Sequence, residues 1–270
     1  MRKHLSTVLL ILILVTGVSL LLYPTISDYW NSMFQSKAIA TYTEEVAQMD
    51  DEIYETMWEN AKVYNDTLAR SDERFVFYEE EKLAYERLLN VAGNGIMGYI
   101  QIPAINCSLP VYHGTSEEVL QIAIGHIEGS SLPVGGEGSH CVLSGHRGLP
   151  RAKLFTEIDK LREGDVFMLQ VLDETLTYEV DKIWIVEPHE IDKLGIEEGK
   201  DYCTLVTCTP YGVNSHRLLV RGSRVENRAA DKVVRVSADA VQIDPVLVAP
   251  VMSIPIFFAF LGWVLIKYRK

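Results

Sequence analysis

Four cysteines, Cys107, Cys141, Cys203 and Cys208, offer the chain's strongest nucleophiles. Cys203 and Cys208 are five apart on one predicted strand. They therefore point to opposite faces roughly 17 Å apart and cannot pair with each other. Cys107, Cys141 and Cys203 read as small buried hydrophobes. Cys208 differs in context. It closes the run Leu205-Val206-Thr207-Cys208-Thr209 just before a turn signal, Pro210-Tyr211-Gly212-Val213-Asn214-Ser215, and the chain then returns as Arg217-Leu218-Leu219-Val220. Such a return brings Arg217 beside Cys208. A fixed cation biases a thiol toward the nucleophilic thiolate, and a guanidinium can steady a developing oxyanion. A cysteine nucleophile also needs an acid for its leaving amine. Of the 7 histidines, His146 is the best placed, between Ser144-Gly145 and Arg147-Gly148, where the backbone is free to bend and present a ring. Spacing alone leaves the bland readings open, a buried thiol and a surface imidazole. His140, Cys141, His146 and Cys208 have no recognised metal-ligand spacing.

The elements that would position these residues change texture along the chain. Val46, Met49, Ile53, Met57, Ala61 and Tyr64 recur in steps of three and four, which predicts an amphipathic helix over 42–68. A second helix is expected over 79–89, with a short connector at 70–77. From residue 98 the sequence breaks into short apolar or alternating runs. Strands are expected at 98–102, 109–112, 141–144, 166–172, 175–180, 182–187, 202–209 and 217–221, with Asp173-Glu174 as a tight turn and a short helix near 152–161. Many short strands without regular helix alternation predict a closed barrel or a sandwich.

Residues 5–23 and 246–266 carry no charge. As helices they reach roughly 28 and 32 Å, about the thickness of a hydrocarbon core. Arg2 and Lys3 precede the first run, and Lys267, Arg269 and Lys270 follow the second, so the positive-inside bias keeps both termini in the cytoplasm. No small-x-small cleavage site follows the first run closely, which favours a retained anchor over a signal peptide. With five of the 25 basic residues at the ends, the region between carries 20 bases against all 37 acids, a net −17. That region is expected outside the cell. A strongly acidic chain approaches phosphates against its own field, which counts against nucleic acid as a partner.

Several segments together resemble the sortase family. TLVTC at 204–208, followed by TPYGVNSHRLLVRG at 209–222, is similar to the active-site strand and loop of sortases. SGHRG at 144–148 resembles their histidine segment, and GYIQIP at 98–103 the strand that opens their barrel. LPVYHGTSEEVLQ, GHIEGSSLPVGGEGSH and LSGHRGLPRAKLF follow in the order seen in class C, the pilin-polymerising sortases.

The resemblance implies a mostly β fold: a closed eight-stranded β-barrel with N-terminal helices and two flanking transmembrane helices. The expected organisation is a cytoplasmic tip and span at 1–23, a helical region at 24–92, a catalytic barrel at 93–225, a stalk at 226–245, and a second span with a basic tail at 246–270. It implies that Cys208 attacks the Thr–Gly bond of an LPXTG-like sorting signal to form a thioester. His146 would protonate the departing amine and Arg217 steady the oxyanion. No metal or organic cofactor is implied. The acyl acceptor would be a pilin lysine or, in a wall-anchoring sortase, an amine of a peptidoglycan precursor; a catalytically silent surface-binding domain is the reading from another class. Class C sortases often carry a lid with an Asp-Pro-aromatic motif. The connector here departs from that motif, reading Arg70-Ser71-Asp72-Glu73-Arg74-Phe75 without proline: either Asp72 pairs with Arg217 and Phe75 covers Cys208, or the segment is a plain solvated loop between two helices.

Overall fold

A computed structural model of the chain describes residues 2–71, 74, 75, 79–150 and 152–227, with the side chains of 2–9 and 12 excepted. The described residues from 28 onward form one compact unit, and those before 28 belong to a second. The second unit's described part is the start of α1 (Arg2–Ala47). Among the described residues no helix is long and apolar enough to cross a membrane. The side chains of 2–9 and 12, which fall in or beside the first apolar run, are not part of that description. The predicted stalk and second span lie outside the described residues.

The helix predicted over 42–68 is two helices. The end of α1 is followed by a break at Gln48–Asp50, and α2 (Asp51–Ala69) begins afresh. Periodicity runs through the break, but local chemistry marks it. The Asp50 carboxylate accepts the Glu52 N–H at 2.9 Å, and Asp51 and Glu52 place negative charge in the first turn. The second predicted helix is shorter than expected, α3 (Glu79–Tyr85).

These helices are pinned to the barrel by polar side chains that reach its backbone. The Tyr42 hydroxyl donates to the Met97 carbonyl (3.1 Å) and accepts the Leu172 N–H (2.7 Å). Asn65 makes a two-way bond with the backbone of Leu132, at 3.1 and 2.7 Å. On α3, the Tyr85 hydroxyl lies 2.8 Å from His126 Nδ1 and accepts the Gly114 N–H. All three side chains are buried, so each bond satisfies groups that would otherwise be desolvated without a partner.

The eight strands are β1 (Ile96–Ile102), β2 (Cys107–His113), β3 (Ile124–His126), β4 (Ser139–Ser144), β5 (Val166–Val171), β6 (Glu174–Val186), β7 (Asp201–Thr209) and β8 (His216–Val225). They close in the order β1-β2-β3-β4-β7-β8-β6-β5. Strand alternation sends Cys141, Leu143, Cys203, Leu205, Leu218 and Val220 into the barrel core. Two predicted strands, 175–180 and 182–187, are one bulged strand, with the register shift between Val180 and Lys182. The short helix expected near 152–161 is reduced to a 3₁₀ turn at Ile158–Lys160.

β3 escapes sequence reading because it has only three residues. Beyond it, the loop at 127–131 takes over the edge of β4. The N–H groups of Ile127 and Ser131 donate to Val142 and His140 carbonyls, and the hydroxyls of Ser130 and Ser131 accept the N–H groups of Val142 and His140. Serine hydroxyls thus complete the ladder where no strand pairs.

Candidate active site

β7 is central to the site because it pairs with β4 on one side and β8 on the other. Its antiparallel partnership with β8 sets Cys208 directly opposite Arg217. Its parallel partnership with β4 has a constant offset, with Cys141 opposite Cys203 and Ser144 opposite Val206. The Gly145 N–H continues that ladder to the Val206 carbonyl at 3.0 Å. The Thr207 hydroxyl donates to the Gly145 carbonyl at 2.7 Å. β4 ends at Ser144; the same offset carried on by two residues would set His146 level with Cys208. With the Cys208–Arg217 pair this would align the three as one row across neighbouring strand lines, and all three are half-buried. The Arg217 guanidinium donates to the carbonyls of Asn214 (3.3 Å) and His216 (3.1 Å), which folds it back over the turn that closes β7 onto β8.

Alternation explains why the four cysteines differ. Cys141 and Cys203 face each other inside the barrel, where burial pushes the Cys203 thiol well up. Burial, with a contribution from Glu157, pushes Cys107 up to about 12. Cys203 and Cys107, held neutral in this way, are poor nucleophiles. Cys141, whose thiol the Cys203 and His126 side chains push the other way against its burial, is sealed inside the barrel. Cys208 instead lies on the outer face of the sheet, two residues beyond Val206.

That outer face carries an apolar trough. Val142, Val186, Leu194, Val206 and Leu219 form a cluster separate from the barrel core, with Ile127 and Trp184 against it. Phe75, from the connector between α2 and α3, packs onto this cluster. The turn at Arg74–Phe75 rests on Gly129: a Cβ there would lie 2.2 Å from the Arg74 carbonyl oxygen and 2.8 Å from Phe75 Cδ1. Gly129 also has φ +85°, a conformation that side chains disfavour. Phe75 thus occupies the trough beside the row. Asp72, expected to pair with Arg217, lies outside the described residues.

At the far end of the trough, Arg221 forms a two-pronged pair with Asp181 (3.0 and 2.7 Å). It lies 3.9 Å over the Tyr202 ring. Beside it His140 bonds the Gly195 carbonyl through Nδ1 and the Thr204 hydroxyl through Nε2, both at 2.7 Å. Burial, with lesser contributions from Arg221 and Arg74, lowers the His140 pKa to about 4. Among the described residues no group of three or more His, Cys, Asp or Glu side chains is placed to hold a metal ion.

Spacing did not single out Arg147, Asp159, Thr209 or Tyr211, which line a cleft of about 640 Å³ together with Ile183, Trp184, Ile185, Pro210 and Leu218. Arg147 and Thr209 are direct neighbours of His146 and Cys208, so adjacency was the available signal. Asp159 comes close only through tertiary folding.

The arrangement has counterparts among known proteins. Residues 100–225 match the Sortase domain. Sortase C1 of Streptococcus agalactiae is 52% identical, with a TM-score of 0.70 over 71% of this chain and 100% of that structure. The sortase C structure of Streptococcus pneumoniae is 45% identical, with a TM-score of 0.64 over 70% of this chain and 97% of that one. A Clostridium perfringens sortase C, solved with the C-terminal cell wall sorting motif, is also 45% identical, with a TM-score of 0.63 over 70% and 98% of the two chains. Sortase D of Bacillus subtilis is 32% identical over 131 residues, 47% of this chain and 63% of that protein. Identity at this level across whole structures, with a closed barrel, places the chain: it belongs to the sortase family of cysteine transpeptidases.

Proposed function

We propose that the chain is a membrane-anchored extracellular transpeptidase that cleaves an LPXTG-like sorting signal between Thr and Gly and transfers the acyl group to a pilin lysine. The observation that carries this reading is the pairing of Cys208 with Arg217, with Gly145, the residue before His146, bonded to Val206 and Thr207 on the strand that bears Cys208. The Cys208 sulfur attacks the threonine carbonyl carbon, and the carbonyl oxygen takes up negative charge beside the Arg217 guanidinium. As the carbon–nitrogen bond breaks, His146 gives its proton to the departing glycine amine. The thioester is then attacked by a lysine amine, whose proton returns to His146, and the thiolate leaves. Two acyl transfers replace direct aminolysis of an unreactive amide.

The trough of Val142, Val206 and Leu219 supports binding of the apolar part of such a signal. Phe75 lying in it supports a lid that must leave before the signal enters. The sorting motif in the Clostridium perfringens structure supports the substrate class, and the class C neighbours support pilin rather than wall attachment. The charge-free runs at 5–23 and 246–266, with basic residues beyond each, support two anchors and an external barrel.

The test is intact mass of the full-length protein in detergent after incubation with an LPXTG-type peptide, beside Cys208→Ala. The expected result is an adduct equal to the peptide up to Thr, present only with Cys208. A lysine peptide should then remove it as an amide product more efficiently than a peptidoglycan-precursor amine. Absence of the adduct both in the parent and in Phe75→Ala overturns the reading.

A further inference from the structure

We infer that Arg147 is a positioning residue for the transpeptidation, a clamp that holds the turn bearing His146 against the strand bearing Cys208. The inference rests on the proposed role of His146 as proton donor. An acid that delivers a proton must stay within hydrogen-bond reach of the breaking bond, so small displacements cost rate. Among the described residues no carboxylate pairs with the His146 ring; the histidine that has such a partner is His216, 3.3 Å from Glu187. The placement of His146 must then come from the backbone that carries it.

On the N-terminal side that backbone is fixed by Gly145, which is bonded in both directions to Val206 and Thr207. On the C-terminal side Arg147 does the fixing. Its Nη1 donates to the Thr209 hydroxyl at 3.2 Å, directly after Cys208. Its Nη2 forms an ion pair with Asp159, and its guanidinium lies 6.0 Å from the Tyr211 ring, on the turn after β7. The side chain is only 10% exposed, and Nε is buried without a partner. Arg147 therefore gives up solvation to make these contacts, which a freely solvated arginine would not.

Three further contacts close the turn. The Tyr211 ring rests on Gly148, where a Cβ would lie 2.8 Å from a ring carbon. The Gly148 N–H donates to the Thr156 hydroxyl, and the Phe155 N–H to the His146 carbonyl. Val206, Thr207 and Thr209 flank Cys208; Gly145 and Arg147 flank His146. The clamp thus ties the neighbours of the acid to the neighbours of the nucleophile.

A double-mutant cycle on the full-length protein in detergent tests this, with single-turnover acylation by an LPXTG-type peptide as readout. Arg147→Met should slow acylation at least about tenfold, and Arg147→Lys, lacking the planar fork, should recover only part of the loss. Alkylation of Cys208 by iodoacetamide, which needs no proton donor, should stay near the parent rate. In a His146→Ala background, Arg147→Met should cause no further loss, because the residue acts through the histidine. An equal factor in both backgrounds overturns the inference and makes Arg147 merely structural. Parent-like acylation by His146→Ala alone overturns the underlying reading instead. If Arg147→Met does not fold, Thr209→Val in both backgrounds makes the same comparison.

Discussion

The Thr207 hydroxyl donates to the Gly145 carbonyl at 2.7 Å, joining the residue before Cys208 to the residue before His146. Thr207 is 2% exposed, so replacing it with Val keeps the shape but strands a buried carbonyl. Thr207→Val is expected to cost about 1–3 kcal/mol of stability, read as a lower denaturation midpoint. Acylation should fall more than stability predicts, because the bond sets the spacing of the row. Unchanged acylation in a destabilised variant would show the bond to be structural only.

Gly129 and Phe75 test the lid from opposite sides. Gly129→Ala would drive a methyl group into the Arg74 carbonyl, and Phe75→Ala would empty the trough. Losing the burial of an aromatic ring of this kind shifts a closed state by about 1–2 kcal/mol, roughly a tenfold change in population. Both variants should therefore label faster at Cys208 with a thiol reagent. Asp72→Ala should act in the same direction through its expected pairing with Arg217. Parent-like labelling in all three would remove the lid from the account.

The buried His140 makes a pH prediction with a definite sign. Its pKa in the fold is about 4, below the ordinary histidine value near 6.5. The unfolded chain therefore takes up the proton first as pH falls. Stability is complete above about 6.5 and declines between there and about 4, by on the order of 2–3 kcal/mol. The other charged groups acting on the ring are Arg221, Arg74 and Glu197. Denaturation midpoints measured across it should flatten in His140→Gln. An equally steep profile in that variant would assign the dependence to other groups.

Arg221 predicts a failed conservative substitution. Its fork binds both oxygens of Asp181 while its plane covers Tyr202. Lysine keeps the charge but neither the fork nor the stacking plane. Arg221→Lys should destabilise by about 1–2 kcal/mol, and 1 M salt should not abolish the difference, since the pair is mostly covered. Parent-like stability would show that charge alone suffices.

The sequence disclosed the parts of this fold that depend on near neighbours. Cys208 and Arg217 stand on adjoining strands joined by a short turn, so their register followed from the turn signal. The offset that carries His146 toward Cys208 did not, because β4 and β7 pair in parallel across a long stretch of chain. Asp181 split the reading of β6, since a charged residue at a bulge looks like a turn until Arg221 is seen opposite. β3 was too short to carry a pattern. Phe75, expected over Cys208, packs against the apolar cluster that includes Val206, two residues before it on β7.

The closed barrel also limits how any peptide can be read. Strand order runs from β1 through β5 and back to β1, and the Ser130 and Ser131 hydroxyls occupy the backbone groups of β4 that β3 leaves over. Along β4, then, a guest chain finds no spare backbone donors and acceptors to extend, and β-augmentation at that edge is closed to it. An extended signal laid over β4 on the outer face must be discriminated there by side chains. Sequence preference along that path should therefore be re-engineered by substitutions in the trough rather than by altering the pairing of β4.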